Sequence, residues 1–396
     1  MNIRMIACLL AAGLPAVWVG AQGSLTPPGD PAPTMKTLAQ VEPRTPIDAV
    51  PYVIEQPGSY YLTANLVCTN GSGVTISADA VTLDLAGYAI FGSGDQPLSK
   101  GILVFSAGGA PLHGVVVRNG TVGRFGTGLY AERCQGCRFE HLAILNNLGK
   151  GLFLESSGGA CNGNAIVRCA IGANDDVGVY FHASAGRCEG NRLADCIIQS
   201  NASHGVEMVV PYSGRCAGNL ILDCTIAGNG GDGLRLDGIA GRCEGNLVER
   251  CVFLRNGGDG ISTATADGAA NGNLLSACRV NGNGGDGLML DGFNGVCAGN
   301  VVADCGFGEN QDDEIQLDRA TGNRVENNRI DDYTSGGTNG ITGVGSTNNL
   351  IVRNTALGTA AAFNLSAGDV YGPVVGDLGE LATSGAEAHP WANFSP

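Results

Sequence analysis

Apolar positions in this chain come in short runs, never in the ten or more periodic residues that a helix needs. Val74-Thr75-Ile76, Val81-Thr82-Leu83, Ile102-Leu103-Val104 and Val115-Val116-Val117 are β-branched and apolar stretches broken by Gly or Asn, the pattern of strands. From residue 161 the runs repeat. Asn164, Asn191, Asn219, Asn246, Asn273 and Asn300 follow one another at steps of 27, 28, 27, 27 and 27 residues. A second phrase, Asn147, Asn174, Asn201, Asn229, Asn256, Asn283 and Asn310, keeps the same period. Such a period predicts a solenoid of about 27-residue coils.

One coil, Asn246 to Asn273, shows how the prediction works. Residues 246–250 alternate as a strand, Cys251 and Phe253 resume the inward side after a bend, Asn256-Gly-Gly turns, and Asp259-Gly-Ile-Ser-Thr opens another strand. A single coil cannot bury its apolar side. Coils stacked at about 4.8 Å give every strand two parallel neighbours and one continuous core. The register predicts inward columns of Ile166, Leu193, Ile221, Val248, Leu275 and Val302, and of Val206, Leu234, Ile261, Leu288 and Ile315. The Asn columns are expected to occupy tight left-handed turns and to hydrogen-bond from coil to coil as ladders.

Polar positions follow the same register. Asp232, Asp259, Asp286 and Asp313 form one column, with His204 in the equivalent place one coil earlier. Like charges at that spacing repel by roughly 0.9 kcal/mol per pair even in water. Either turn amides donate to each carboxylate or calcium bridges the coils; the turn amides are the simpler expectation. No other cofactor is expected. The outward strip Tyr180, Glu207, Arg235, Ser262, Met289 and Gln316 is a candidate carbohydrate groove, with Tyr180 as stacking surface and Glu207 and Arg235 as polar contacts, or else a solvated sheet face.

Composition narrows partners and location. The 396 residues include 64 Gly and 15% charged residues, with a net charge of −15. Such an acidic surface lacks the basic face that nucleic acid requires. Arg4 followed by an apolar run to Val19, with small residues to Ala21, reads as a signal peptide over 1–21, cleaved near Ala21. The run is too short to span a membrane, so a secreted or cell-surface protein is expected. Residues 22–50 are Pro-rich and are read as an N-terminal cap with one short helix from Met35 to Val41, residues 51–367 as the solenoid, and residues 368–396 as a C-terminal cap anchored by Trp391.

Cysteine follows the coils in two columns. Cys134, Cys161, Cys188, Cys216, Cys243 and Cys297 stand against Cys169, Cys196, Cys224, Cys251, Cys278 and Cys305. Pairs eight residues apart within a coil, such as Cys161 with Cys169, invite disulfides in a secreted chain. Yet Cys278 persists where Ala270 replaces its partner, so stacked free thiols are the alternative.

The phrases Val81–Ile90 (VTLDLAGYAI), Val116–Val122 (VVRNGTV) and the repeated Asn-Gly-Gly-Asp-Gly-Leu resemble those of right-handed parallel β-helix proteins of the pectate-lyase-like superfamily. The ends, Leu25–Leu38 (LTPPGDPAPTMKTL) and His389–Phe394 (HPWANF), resemble those of secreted bacterial β-helix proteins. The resemblance implies an all-β, single right-handed parallel β-helix. It also brings polygalacturonases to mind, which use an Asp pair and a Ser/Gly-His-Gly motif on the next coil. Here Asp175-Asp176 precedes Ser203-His204-Gly205 by about one coil, making Asp175, Asp176 and His204 the catalytic candidates, although the upstream Asn-Thr-Asp is absent and Arg235-Leu-Asp237 departs from the family's Arg-Ile-Lys. The expected function is a surface protein that binds glycan or extracellular matrix. The alternatives are a lyase or hydrolase of an acidic polysaccharide, or a structural spike or envelope component.

Overall fold

The computed structural model describes residues 41–332, 338–376 and 389–395. The expected signal peptide lies outside the described residues, as do the Pro-rich segment up to residue 40 and all but Val41 of the expected short helix. The compact unit that begins at Arg44 is built of short strands, and from Glu42 onward the described residues contain no helix. Among the described residues every strand pairing is parallel, in sheets of 26, 13, three and two strands. The coil read from sequence folds as Leu247–Glu249, Val252–Leu254 and Ile261–Ala264. Val248 pairs in register with Leu275, and Leu234 with Ile261, so the predicted inward columns are the core.

Described strands lie on both sides of residues 51–367. Thr45–Ile47 pairs with Gly58–Leu62, so the stack begins inside the Pro-rich segment, because one short extended run suffices to cover the first full coil. Beyond Ala361–Asn364, the last strand of the 13-stranded sheet, Gly368–Tyr371 and Asn393–Ser395 still add parallel strands to the 26-stranded one. Trp391 is held by Arg353, whose guanidinium carbon lies 4.9 Å from the indole centroid.

Corners decide how the coils stack. Each is made by one residue in the left-handed region, and that residue is not the ladder Asn. It is the residue before it: Ala173 (φ 52°) before Asn174, Ser200 (57°) before Asn201, Gly190 (62°) before Asn191. The left-handed residue turns the chain, and the next side chain then points into the corner, where it meets its counterpart one coil away. Asn174 Nδ2 donates to Asn201 Oδ1 at 2.8 Å, and the Asn174 main-chain N–H donates to the same oxygen at 3.3 Å. This unit recurs from Asn147 to Asn310 and from Asn164 to Asn349. Both ladders end on a carboxylate: Glu314 receives Asn310, and Asp369 receives Asn349. A terminal Asn presents two donors, and a carboxylate has the lone pairs to take both.

Cysteine fills the third corner in the same way. Arg168, Asp195, Asp223 and Arg250 are left-handed (φ 53–55°), and each is followed by an inward Cys. The N–H of Cys251 donates to Cys278 Sγ at 3.4 Å, while the Cys251 thiol reaches back to Ile221 O at 3.5 Å. Further on, Asn328 takes the place of Cys and receives the Cys305 N–H at 3.0 Å. All fourteen described cysteines are buried, and each stands as a free thiol. A disulfide between Cys161 and Cys169, or within any other coil, would remove hydrogen bonds on which the corner depends. In the first column the contact is also between coils, with Cys134 Sγ 3.4 Å from Cys161 Sγ.

Truncating a mid-ladder residue, Asn229→Ala, strands the N–H and Nδ2 of Asn201, both buried. At about 1–3 kcal/mol per unsatisfied group, a loss of roughly 3 kcal/mol or more is expected in urea unfolding. A loss under about 1 kcal/mol would contradict the ladder's role. Thiol titration of the unreduced protein is expected to find no reaction while it is folded and fourteen thiols from the described residues after denaturation.

Candidate functional site

Outward side chains of the 13-stranded sheet gather the candidate residues. Its neighbouring strands Thr127–Glu132, Leu152–Glu155, Val179–His182, Val206–Val209 and Leu234–Asp237 place Tyr130, Phe153, Tyr180, Glu207 and Arg235 in one column. Sequence reasoning began this column at Tyr180, where the 27-residue period is regular. Tyr130 and Phe153 belong to a coil only 23 residues long, and an aromatic residue repeated at that step was the signal available. The three rings meet edge to face, at 4.9 Å and 5.0 Å between centroids.

Tyr180 is not a free stacking surface. Its ring lies nearly parallel to His182 at 5.5 Å, and the Lys150 ammonium sits 4.6 Å from its centroid. His182 is in turn held by Glu155, at 2.7 Å through Nδ1, and Lys150 Nζ donates to Asp176 Oδ2 at 2.5 Å. Lys150, Glu155 and His182 went unrecognised in the sequence because nothing in the repeat phrase marks them.

Two coils on, Arg235 is the hub. Its guanidinium contacts Asp237 at 3.2 Å, Asp232 at 3.8 Å and Glu207 at 4.0 Å. Burial pushes the Glu207 carboxyl up to about 7, against the opposing pull of Arg235. Burial likewise lowers the affinity of His204 for a second proton, Asp232 only partly offsetting it. His204 Nδ1 accepts the Asp232 N–H at 2.9 Å, so neutral His204 carries its proton on Nε2 and is a hydrogen-bond donor rather than a base. Gly205 of the Ser-His-Gly phrase has a packing reason. A Cβ there would lie 2.7 Å from Gly233 O and 2.8 Å from Asn229 Nδ2, inside the ladder. Asp176 joins the cluster through Lys150, whereas Asp175 is exposed to solvent and stands apart from it.

Comparison with known proteins follows from this geometry. The family model described as "Right handed beta helix region" matches residues 95–213 and 211–296, just over half of the sequence. The chain belongs to this right-handed β-helix family. Among solved structures, the A-module of mannuronan C-5 epimerase AlgE6 from Azotobacter vinelandii is 16% identical, with 80% of this chain and 91% of that one covered and a TM-score of 0.62. The catalytic domain of a GH87 α-1,3-glucanase is 15% identical, with 82% and 64% covered and a TM-score of 0.53. ORF18 of Geobacillus virus E2 is 15% identical, with 73% and 54% covered and a TM-score of 0.50. At these identities the likeness is one of fold. No curated protein matches the sequence.

In this β-helix the Asp column is a ladder of its own. Asp232 Oδ1 accepts the Asp259 N–H, Asp259 Oδ1 that of Asp286, and Asp286 Oδ1 that of Asp313, all at 2.8–2.9 Å; Asn339 continues from Asp313. Among the described residues no group of three or more His, Cys, Asp or Glu side chains is arranged to hold a metal ion. Burial, then the preceding Asp, pushes Asp259 up to about 6 and Asp286 up to about 8.

Raised carboxylates have a definite consequence for stability. The unfolded chain releases these protons near pH 4, while the folded chain keeps them to about 6 at Asp259 and about 8 at Asp286, so the native state binds more protons between those limits. The melting temperature is therefore expected to fall as pH rises from about 4 to about 8. Asp286→Asn keeps the Oδ1 acceptor without the charge and should raise stability at pH 9 by on the order of 2 kcal/mol, read from denaturant curves. Added calcium should leave the wild-type melting temperature unshifted; a rise would mean that the column takes up the ion.

Proposed function

We propose that this protein binds a polysaccharide along the outward face of its 13-stranded sheet, centred on Lys150, Asp176, His204, Glu207 and Arg235. The observation that carries the reading is the arrangement of these half-buried polar groups. They are held by one another on a rigid parallel sheet, and they offer alternating donors and acceptors at the coil spacing of about 4.8 Å. Sugar hydroxyls are bound by such fixed donor and acceptor pairs, and pre-organisation lowers the cost of ordering the site. The solved structures of like fold support it by their names: one is a mannuronan epimerase, and the glucanase domain was seen in complex with tetrasaccharides. Secretion through the leader at 1–21 would bring the protein to such polymers.

Glu207 favours a second reading, a hydrolase or lyase. A carboxyl that keeps its proton to about 7, beside Arg235, is suited to protonate a glycosidic oxygen as the bond breaks.

A panel of neutral and acidic polysaccharides, assayed both for binding and for reducing-end or unsaturated products, tests both readings. Binding without product is expected, with Arg235→Ala weakening it roughly tenfold. Product formation abolished by Glu207→Gln would establish the enzymatic reading instead. Absence of binding to every polymer would defeat the proposal.

A further inference from the structure

A second groove lies on another part of the solenoid. It follows the ends of the 13-stranded sheet and borders the three-stranded sheet of Arg187–Glu189, Arg215–Ala217 and Arg242–Glu244. It holds about 910 Å³ and extends over five coils. Its floor is a column of glycines, Gly159, Gly186, Gly214, Gly241 and Gly268. The last four are fixed by close approach of the coils. A Cβ at any of them would come within 2.6 Å of a main-chain oxygen of the coil before. Main chain packs against main chain here, so no side chain rises from these positions into the groove.

One wall is a ladder of arginines. Arg187, Arg215 and Arg242 pair in register on three successive coils, with Ala160 and Ala269 at the positions just beyond them. Arg215, in the middle, is neutralised from both sides, at 3.3 Å by Glu189 and at 2.9 Å by Glu244. Neither Arg187 nor Arg242 has an ion-pair partner among the described residues, although both are exposed and the protein carries a net charge of −15. Arg187 and Arg242 therefore leave two unpaired guanidiniums on one wall, each a planar, bidentate donor for carboxylate or sulfate, two coils or about 9.6 Å apart.

We infer that this groove is a binding site for a linear anionic glycan that lies along the solenoid axis with two of its carboxylate or sulfate groups on Arg187 and Arg242, two coils apart. Arg215, held by its two glutamates, keeps the spacing between them. The site is separate from the face of the 13-stranded sheet and does not depend on what that face binds.

Calorimetric titration of the full chain with a polyuronate, dextran sulfate, unmodified dextran and a single-stranded oligonucleotide tests the inference. Binding to the polyuronate or to dextran sulfate is expected, and the stronger of the two identifies the anionic group. It should weaken with added salt. The double variant Arg187→Ala/Arg242→Ala should bind roughly tenfold more weakly. Ser213→Glu, which puts a negative charge on the exposed rim without touching a core hydrogen bond, should weaken binding too, so the test does not rest on one variant's folding. The inference is overturned if neither charged glycan binds, if unmodified dextran or the oligonucleotide binds as tightly, or if folded variants retain wild-type affinity.

Discussion

Everything in this solenoid depends on satisfying the main-chain N–H at each inward corner. A coil must turn sharply about three times, and every turn buries an amide that no strand partner reaches. The chain meets this with one left-handed residue followed by one inward acceptor: Asn in two corners, Cys in the third. The acceptor serves the coil before it and in turn donates, so the hydrogen bonds run the length of the stack and are completed at the carboxylates of Glu314 and Asp369. Asn and Cys are interchangeable here because both offer an acceptor to the amide and a donor to a carbonyl of the preceding coil, as Asn328 shows in the place that Cys305 holds one coil earlier.

That regularity is also what builds polar sites. Stacking repeats each outward position at a fixed interval, so a charge placed once in the phrase becomes a column of like charges. The molecule resolves this differently in different columns. Along Asp232 to Asp313 each carboxylate takes the next coil's amide, and burial keeps protons on the middle members. Around Arg235 opposite charges meet. Along Arg187 to Arg242 only the central arginine is neutralised by its neighbours. Positions where the compensation stays internal serve the fold, and positions where it is incomplete are open to a ligand.

The same distinction separates structural from chemical residues within one phrase. His204 and Gly205 stand together in the sequence, yet Gly205 is required by the Asn ladder, and His204 spends its acceptor nitrogen on the Asp232 amide. Their neighbour Asp176 is drawn into the site by Lys150, a residue outside the phrase, while Asp175 remains in solvent. A short motif in a repeat protein therefore carries little information until each member's packing duty has been subtracted.

The period alone determined the coil length, the parallel stacking, the inward columns and the existence of Asn ladders, because a residue repeated every 27 positions can meet only its own kind. It also placed Glu207 and Arg235 on one outward strip. Tertiary structure decided what depends on direction and distance: that the left-handed residue precedes the Asn, that the thiols bond between coils, and that Tyr180 is covered by Lys150 and His182. Tyr130 stands only 23 residues before Phe153, so its register became visible only once the strands were paired. The arginine groove was hidden for a related reason. Arg187, Arg215 and Arg242 are plain in the sequence, but the groove beside them is lined by glycines whose missing side chains matter only where two coils touch.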